Sequence, residues 1–309
     1  MKLVTKKSGK KAAFTIVELL TVMSIIVILI GLLVPALNKV REYSREVKQK
    51  AQFHSMDSAI ELYNTEFDGY PPSYKDDIVG VPYCGAMKLC ESMMGQDLMG
   101  FHPDSLFRAD GTNGLSSPNT FDYYTETTES ARVGTYLPLE SANAFKLSQI
   151  YGTTGIFDDK YVLCDVYAKT RTGGIKAGMP ILYFRANASK SSHAYAGSNE
   201  DDNAINIYNI EDNDALVRLG VPDESYDHPM AIAGTTRYKN GNNYLGSDPQ
   251  IFYEHTKSEK IWQSSGVSRP YRADSYILLS AGNDGEYGTR DDIYNFDKKL
   301  VDFVDFELK

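Results

Sequence analysis

Cysteine is scarce in this sequence: only Cys84, Cys90 and Cys164 occur among its 309 residues. Three cysteines allow at most one disulfide within the chain, and none of them has the Cys-x2-Cys spacing of a zinc site. The five histidines are scattered without paired spacing. The sequence also lacks a Gly-x-Ser-x-Gly motif, a His-Glu-x-x-His motif and a phosphate-binding glycine loop. These absences predict a protein that is not an enzyme and holds no zinc.

Basic residues are few beyond the start of the chain. Five lysines fall within the first 13 residues, which contain no acid, and from Phe14 onward 27 Lys and Arg face 41 Asp and Glu, a net charge of −14. The negative charge of residues 14–309 repels a phosphate backbone, which argues against nucleic acid as a partner and favours divalent cations. The mean hydropathy of −0.36 excludes a polytopic membrane protein. The 12 Pro and 24 Gly follow no period, which excludes a collagen-like chain.

One long apolar run extends from Phe14 to Leu37, with Glu18 as its only charge. Its 24 residues suffice for a membrane-spanning helix, because about 20 apolar residues cover a hydrocarbon core of ~30 Å. The run continues into a charged helical pattern without a small-residue cleavage site, so we expect an anchor that is retained rather than a secretory signal that is removed. The lysines before it predict a cytoplasmic N-terminus, with everything after Leu37 on the far side of the membrane.

The start of this run carries a specific motif. The segment Lys11-Ala-Ala-Phe-Thr-Ile-Val-Glu-Leu-Leu-Thr-Val22 resembles the N-terminal processing segment of type IV pilins and type II secretion pseudopilins. The resemblance implies that residues 1–13 are a cytoplasmic leader, that a prepilin peptidase cuts between Ala13 and Phe14, and that the new amine is methylated. Glu18 is then the fifth mature residue, where the family has a glutamate. Ala13 departs from the glycine that the family usually has before the cut.

Glu18 requires a physical explanation, because a carboxylate about one turn into an apolar span costs a few kcal/mol without a partner. The resemblance implies that subunits stack into a filament, where the Phe14 amine of one copy approaches Glu18 of a neighbour and the two buried charges neutralise each other. Alternatively, Glu18 extends to the headgroups from the helix end of an isolated protomer. Pro35 lies where many family members have a proline, and a helix end at the membrane interface would also explain it.

A helical pattern continues beyond the apolar run. Residues 38–67 contain neither Gly nor Pro, and their apolar residues recur mostly at three- and four-residue steps: Val40, Tyr43, Val47, Ala51, Met56, Ala59, Ile60, Tyr63 and Phe67. We therefore expect one helix from Phe14 to about Asp68, whose amphipathic second half (38–68) packs on a soluble domain. The helix should end at Asp68-Gly-Tyr-Pro-Pro72. The segment from Tyr63 to Pro72 looks like the corresponding segment of major pseudopilins.

Residues 69–309 are expected to form an extracytoplasmic globular head with an antiparallel sheet. Its middle region, 73–272, is much longer than the same region of a typical major pseudopilin. Periodicity and composition predict a short helix over 85–98 and strands over 160–167, 180–186 and 204–210. Cys84 and Cys90 are candidates for a disulfide, although a continuous helix would hold them too far apart for ideal geometry. The alternative is that the cysteines are small core residues.

The C-terminal part carries a second signal. A strand over 275–280 leads into a loop rich in Gly and Asp, 280–293, and a last strand is expected over 300–306. Glycines let this backbone curl, so Asp284 can meet Asp291, Asp292 or both, and hard oxygen ligands without soft ones suit Ca²⁺. The loop is similar to the calcium loop of major pseudopilins, and its spacing leaves open whether Asp291 or Asp292 is the second ligand. An acidic hairpin turn without metal is the alternative.

These features together predict an α+β, pilin-like protein with a long N-terminal helix. The resemblance implies a structural subunit of a pseudopilus or type IV pilus-like filament, most closely a type II secretion major pseudopilin acting in protein secretion. Its expected partners are further copies of itself, prepilin peptidase, other pseudopilins and inner-membrane assembly proteins. It would lie in the inner membrane with a single pass and then in a periplasmic or cell-surface filament. The alternatives are a minor pilin or adhesin whose head binds a surface, and a membrane-anchored enzyme on a pilin-like stem.

Overall fold

The computed structural model describes residues 15–78, 80–151, 158–171, 174–194, 205–213, 216, 249–285, 287–289 and 291–296. The chain divides into two compact units, one ending at Arg45 and the other beginning at Glu46. The strand predicted over 300–306 lies outside the described residues, as do Ala13 and Phe14.

A long helix and a small antiparallel sheet give the described chain an α+β composition. The helices are α1 (Ile16–Phe67), α2 (Gly85–Met94), α3 (Leu139–Ala142), α4 (Leu147–Tyr151), α5 (Pro249–Thr256) and α6 (Glu259–Ser265). The strands are β1 (Ala144–Lys146), β2 (Tyr161–Leu163), β3 (Lys169–Thr170), β4 (Lys176–Ala177), β5 (Leu182–Arg185), β6 (Tyr276–Ser280) and β7 (Ile293–Tyr294). Short 3-10 helices cover Glu126–Ala131 and Ile210–Asn213.

Helix α1 confirms the prediction of one unbroken helix through the apolar run and the charged pattern that follows it. It passes through Pro35 without ending, so the interpretation of this proline as a helix end is wrong. The helix stops at Asp68, whose φ of 52° lies in the left-handed region, and tandem prolines begin three residues later. A left-handed residue followed by residues that cannot continue the helix is a common helix end.

The face of α1 that packs in the second unit differs from the predicted stripe. Its buried residues are Gln49, Gln52, Phe53, Met56, Ala59, Ile60 and Tyr63. Val47 is 48% exposed and Ala51 is exposed as well, so the expectation that these two residues pack on the domain is wrong. Val40 and Tyr43, the other two residues of the predicted stripe, belong to the first unit and are exposed there. Two buried glutamines take the place of apolar residues on this face.

Hydrogen bonds explain why glutamines are buried there. The Gln52 Nε2 donates to the Cys164 carbonyl at 2.9 Å, and the Val166 N–H donates to Gln49 Oε1 at 2.9 Å. Burying a polar side chain is tolerated when its hydrogen bonds are made inside the protein. These two bonds tie α1 to the chain that follows β2.

Strand β6 lies at the centre of a three-stranded antiparallel sheet, with β5 on one side and β7 on the other. All five of its residues are buried. Tyr276 and Leu278 pack in a cluster with Phe53, Met56 and Ile60 of α1, whereas Ile277 and Leu279 pack in a second cluster with Phe252 and Tyr253 of α5. Because successive strand residues point to opposite faces, a continuous apolar run gives a strand that is covered on both faces.

Helix α2 is buried along its whole length and includes two charged residues, Lys88 and Glu91. The Lys88 Nζ donates to the carbonyls of Tyr74 and Asp76 at 2.6 and 2.7 Å, and burial lowers its pKa to about 8. The Glu91 carboxylate accepts hydrogen bonds from four side chains, those of Tyr83, Gln96, Ser105 and Tyr124. Both charged groups are therefore satisfied inside the core and hold the irregular segments around α2.

The predicted strand over 204–210 is wrong in its described part. Residues 205–210 contain turns, one isolated bridge and the start of a 3-10 helix. The Asn206 side chain hydrogen-bonds both the N–H and the carbonyl of Ala194, and Asn209 Oδ1 accepts the N–H of Glu211. Asparagine side chains thus form hydrogen bonds with backbone N–H and carbonyl groups that a neighbouring strand would otherwise pair with. Strands β2 and β5 lie inside the ranges predicted for strands, and α2 lies inside the range predicted for a helix.

Candidate functional site

The N-terminal end of α1 contains Glu18, the carboxylate for which an assembly role is expected. The N–H and the hydroxyl of Thr15 donate to Glu18 Oε2 at 2.9 and 2.8 Å, and the Glu18 N–H donates to Thr15 Oγ1 at 3.2 Å. This reciprocal pair is a capping box, in which a Thr before the helix and a Glu three residues later satisfy each other's backbone. The Thr-x-x-Glu spacing is a sequence signal for this role, and the interpretation of Glu18 as an assembly residue alone missed it.

The side chains that follow form an exposed apolar surface in the chain by itself. The large hydrophobic residues of the run between Ile16 and Leu37 are 43% to 79% exposed. By length and composition, α1 is the one helix among the described residues that could cross a membrane, with a mean hydropathy of 2.8 in its most apolar window. Pro35 lies within this surface. A helix that is apolar all round needs a nonaqueous environment on every side.

The loop between Ser280 and Ile293 has the backbone that its glycines predict. Gly282, Gly285 and Gly288 have φ values of 63°, 79° and 80°. At Gly282, a Cβ atom would lie 2.2 Å from the carbonyl oxygen of Asp291. The two ends of the loop therefore approach each other closely at a position where only glycine fits.

Two of the three predicted metal ligands come together in this loop. The Asp284 N–H donates to Asp291 Oδ2 at 2.9 Å, and the Asp284 side chain interacts with the Asp291 carboxylate as well. Thr289 Oγ1 donates to Asp291 Oδ1 at 2.6 Å. Asp292 turns elsewhere in the loop, where its Oδ2 accepts the Gly288 N–H at 2.8 Å. The geometry therefore favours Asp291 over Asp292 as the partner of Asp284.

Hydrogen bonds favour the charged form of the Asp291 carboxylate. Burial by itself raises the pKa of Asp291, but the bonds donated by Thr289 and by the backbone of Asp284 and Asn283 outweigh burial, so the pKa lies below its ordinary value. An ionised carboxylate beside a second aspartate attracts a cation.

The residues of the loop fit calcium by the chemistry of their donors. Two carboxylates and the carbonyl oxygens of a glycine-bent backbone are hard oxygen ligands, and Ca²⁺ takes six to eight of these. Among the residues that the structure describes, no group of three or more His, Cys, Asp or Glu side chains is placed to hold a metal ion. Asp284 and Asp291 would therefore hold an ion together with backbone carbonyls. Bound there, the ion would supply positive charge between the two ends of the loop.

Two residues far away in the sequence contact this loop, and no sequence pattern indicated either. The Lys169 Nζ donates to the Asp284 carbonyl at 2.5 Å. The Ser280 hydroxyl, at the start of the loop, donates to Asp165 Oδ2 at 3.0 Å. Asp165 is 2% exposed, and burial raises its pKa to about 6. Each contact joins residues 115 positions apart, which explains why spacing could not have found them.

The candidate disulfide between Cys84 and Cys90 is not formed in the structure, where all three cysteines are free and buried. Cys84 precedes α2 and packs in one core cluster, whereas Cys90 lies inside α2 and packs in the other. Six helical residues rise about 9 Å, beyond the Cα separation of up to about 6.8 Å that a disulfide spans. The alternative interpretation, small core residues, is the one that this geometry supports.

No family model, no curated protein and no solved structure matches the chain. Its function is therefore inferred from its own residues and contacts.

Proposed function

We propose that this protein is a structural subunit of a pseudopilus or type IV pilus-like filament and that it acts without catalysis. The observation that carries the proposal is a helix with two different halves. One half is apolar and exposed on all sides, with a single carboxylate, Glu18, in its first turn. The other half buries one face, between Gln49 and Tyr63, in the core of a folded domain. The apolar half of such a subunit holds it in a membrane. In a filament, contacts with the apolar halves of other copies would replace the contacts with lipid.

The proposed assembly begins with the removal of residues 1–13 by a prepilin peptidase at the Ala13–Phe14 bond. The new amine of Phe14 in one copy then meets Glu18 of a neighbour in an apolar helical bundle, which neutralises both charges. Other pseudopilins and inner-membrane assembly proteins are the remaining proposed partners. Before assembly, Glu18 Oε2 accepts the hydrogen bonds from Thr15. These bonds reduce the free-energy cost of keeping the carboxylate in the membrane.

The capping box allows a sharp test of the charge. Glu18→Gln removes the charge, but a glutamine can replace the glutamate of a capping box, so helix α1 keeps its start. We expect this variant to enter the membrane at the wild-type level and to be absent from filaments. Glu42→Gln, an exposed residue further along the same helix, is the matched control and should assemble normally.

Electron microscopy of sheared surface material, labelled with an antibody to residues 46–309, measures the outcome. Labelled filaments from the wild type and from Glu42→Gln, but not from Glu18→Gln, would support the proposal. A wild-type yield of filaments from Glu18→Gln would refute the assembly role of this carboxylate. The absence of labelled filaments from the wild type, in cells that assemble such filaments, would refute the function itself.

Calcium is a second part of the proposal, supported by the close approach of Asp284 and Asp291 and by their hard oxygen donors. We propose that Ca²⁺ binds the 280–293 loop and stabilises the domain formed by residues 46–309. A protein outside the cytoplasm meets enough calcium for a site of moderate affinity, since extracellular calcium modules bind with dissociation constants of about 10⁻⁴ to 10⁻³ M.

A further inference from the structure

Lys169 brings a positive charge to the loop for which calcium is proposed. It lies on β3, which pairs with β4 so that Lys169 is opposite Ala177. Its Nζ donates to the Asp284 carbonyl at 2.5 Å and lies beside Gly285, where a Cβ atom would be 3.4 Å from it. The ammonium group is therefore hydrogen-bonded to the Asp284 carbonyl, which lies between Gly282 and Gly285, two glycines that shape the turn.

The β3–β4 hairpin is held beside the loop by Asp165. One carboxylate oxygen of Asp165 accepts the N–H of Met179, just after the hairpin, and the other accepts the hydroxyl of Ser280, where the loop begins. Gly178 allows this approach, because a Cβ atom there would lie 2.2 Å from the Asp165 carbonyl oxygen. The base of the hairpin and the base of the loop are thus bound to one buried side chain, which keeps Lys169 within reach of Asp284.

An ammonium group and a calcium ion bind poorly to the same carbonyl oxygen at the same time. The oxygen has two lone pairs, but two positive charges so close together repel each other strongly. Lys169 is exposed and has a flexible four-carbon side chain, so it can leave the loop for water without moving the backbone. Its departure would expose the Asp284 carbonyl to another cation.

We propose that Lys169 and Ca²⁺ compete for the Asp284 carbonyl. When calcium is scarce, the lysine hydrogen bond stabilises the 280–293 loop, and when calcium is present, the lysine lowers the affinity of the loop for it. This inference rests on the calcium site of the proposed function and adds its regulation. The loop then stays ordered in the metal-free protein, and calcium replaces an internal cation instead of organising an open loop.

The test compares four versions of the full-length chain in detergent: wild type, Lys169→Met, Lys169→Arg and Lys176→Met. Lys176 is an exposed lysine on the paired strand β4 and serves as the matched control. Calcium alone is titrated by calorimetry, and melting temperatures are recorded with a chelator and with excess calcium. We expect Lys169→Met to bind calcium roughly tenfold more tightly than wild type, because a like charge beside the ion is gone.

The controls separate charge from packing. Lys169→Arg keeps the positive charge and should bind calcium as weakly as wild type, and Lys176→Met should do the same. With a chelator, Lys169→Met should melt below the wild type, and excess calcium should remove that difference. If Lys169→Arg binds as tightly as Lys169→Met, the lysine acts through its packing and the proposed competition is wrong.

Two further outcomes separate a failure of the competition by Lys169 from a failure of the calcium site. If all four proteins bind calcium with equal affinity, Lys169 does not compete and the inference fails, while the calcium site stands. If none of the four binds calcium, the calcium site itself fails and the inference fails with it.

Discussion

The hydroxyl of Tyr276 on β6 donates a hydrogen bond to Asp57 Oδ1 on α1 across 2.8 Å. Arg272 and Asn295 donate to the same carboxylate, Arg272 through both of its terminal nitrogens and Asn295 at 2.8 Å. Asp57 thus joins the long helix to the central strand and to the chain that follows the 280–293 loop. Its hydrogen bonds therefore join α1 to β6 beside the apolar cluster that packs between the same two elements.

Asp57→Ala should lower the free energy of unfolding by about 2 kcal/mol, because it leaves a tyrosine, an asparagine and a half-buried arginine without their acceptor. Glu46→Ala on the same helix is the control. It removes an exposed ion pair with Lys50 and should cost no more than about 0.5 kcal/mol. Chemical denaturation followed by circular dichroism measures both variants. Equal losses from the two would show that the Asp57 cluster adds nothing to stability.

Asp165 makes stability depend on pH. Burial raises its pKa to about 6 from an ordinary value of 3.8, so between about pH 4 and pH 6 the folded chain keeps a proton that the unfolded chain has lost. The contribution of this group to stability therefore falls as the pH rises through that range and is constant above it. The change is about 3 kcal/mol at most.

Asp165→Asn should remove this dependence, because an amide can accept the N–H groups of Tyr167 and Met179 and donate to Ser280 without any charge. Relative to wild type, the variant should gain up to about 3 kcal/mol between pH 4 and pH 7. Urea denaturation at several pH values measures the difference. Asp159→Asn, at an exposed carboxylate, should show the wild-type slope. A constant difference between Asp165→Asn and wild type would contradict the prediction.

The three cysteines should react with a thiol reagent only after unfolding. Each is at most 1% exposed, and burial raises the pKa of the Cys84 thiol to about 11, so almost no reactive thiolate exists at neutral pH. A colorimetric assay without reductant should count no thiol in the native chain and three in the denatured chain. A count of one after denaturation would reveal a disulfide.

Processing should leave a mature chain that begins at Phe14. In cells that contain a prepilin peptidase, mass spectrometry should find a loss of residues 1–13 and the addition of one methyl group. Ala13→Gly supplies the residue that the family usually has before the cut and should be processed at least as fast. A mature protein that retains Met1 in such cells would refute this prediction.

The amino-acid sequence alone determined where α1 runs and where it ends. An apolar run without interruption, a Gly- and Pro-free stretch after it and a final Asp-Gly-Tyr-Pro-Pro segment act through local backbone preferences, which do not depend on the rest of the fold. Strand β6 was predictable for the same reason, because a short continuous apolar run between polar turns favours a strand that is buried on both faces. The glycines of the 280–293 loop also indicated their turns correctly.

Only the tertiary structure decided which face of α1 is buried and which residues meet at the loop. The periodicity placed Val47 and Ala51 on the packed face, but Gln49 and Gln52 lie there because the backbone after β2 offers them hydrogen bonds. Lys169 reaches Asp284 across 115 positions of sequence. Such contacts depend on how distant segments pack, and local periodicity carries no information about the partner that a side chain finds on another element.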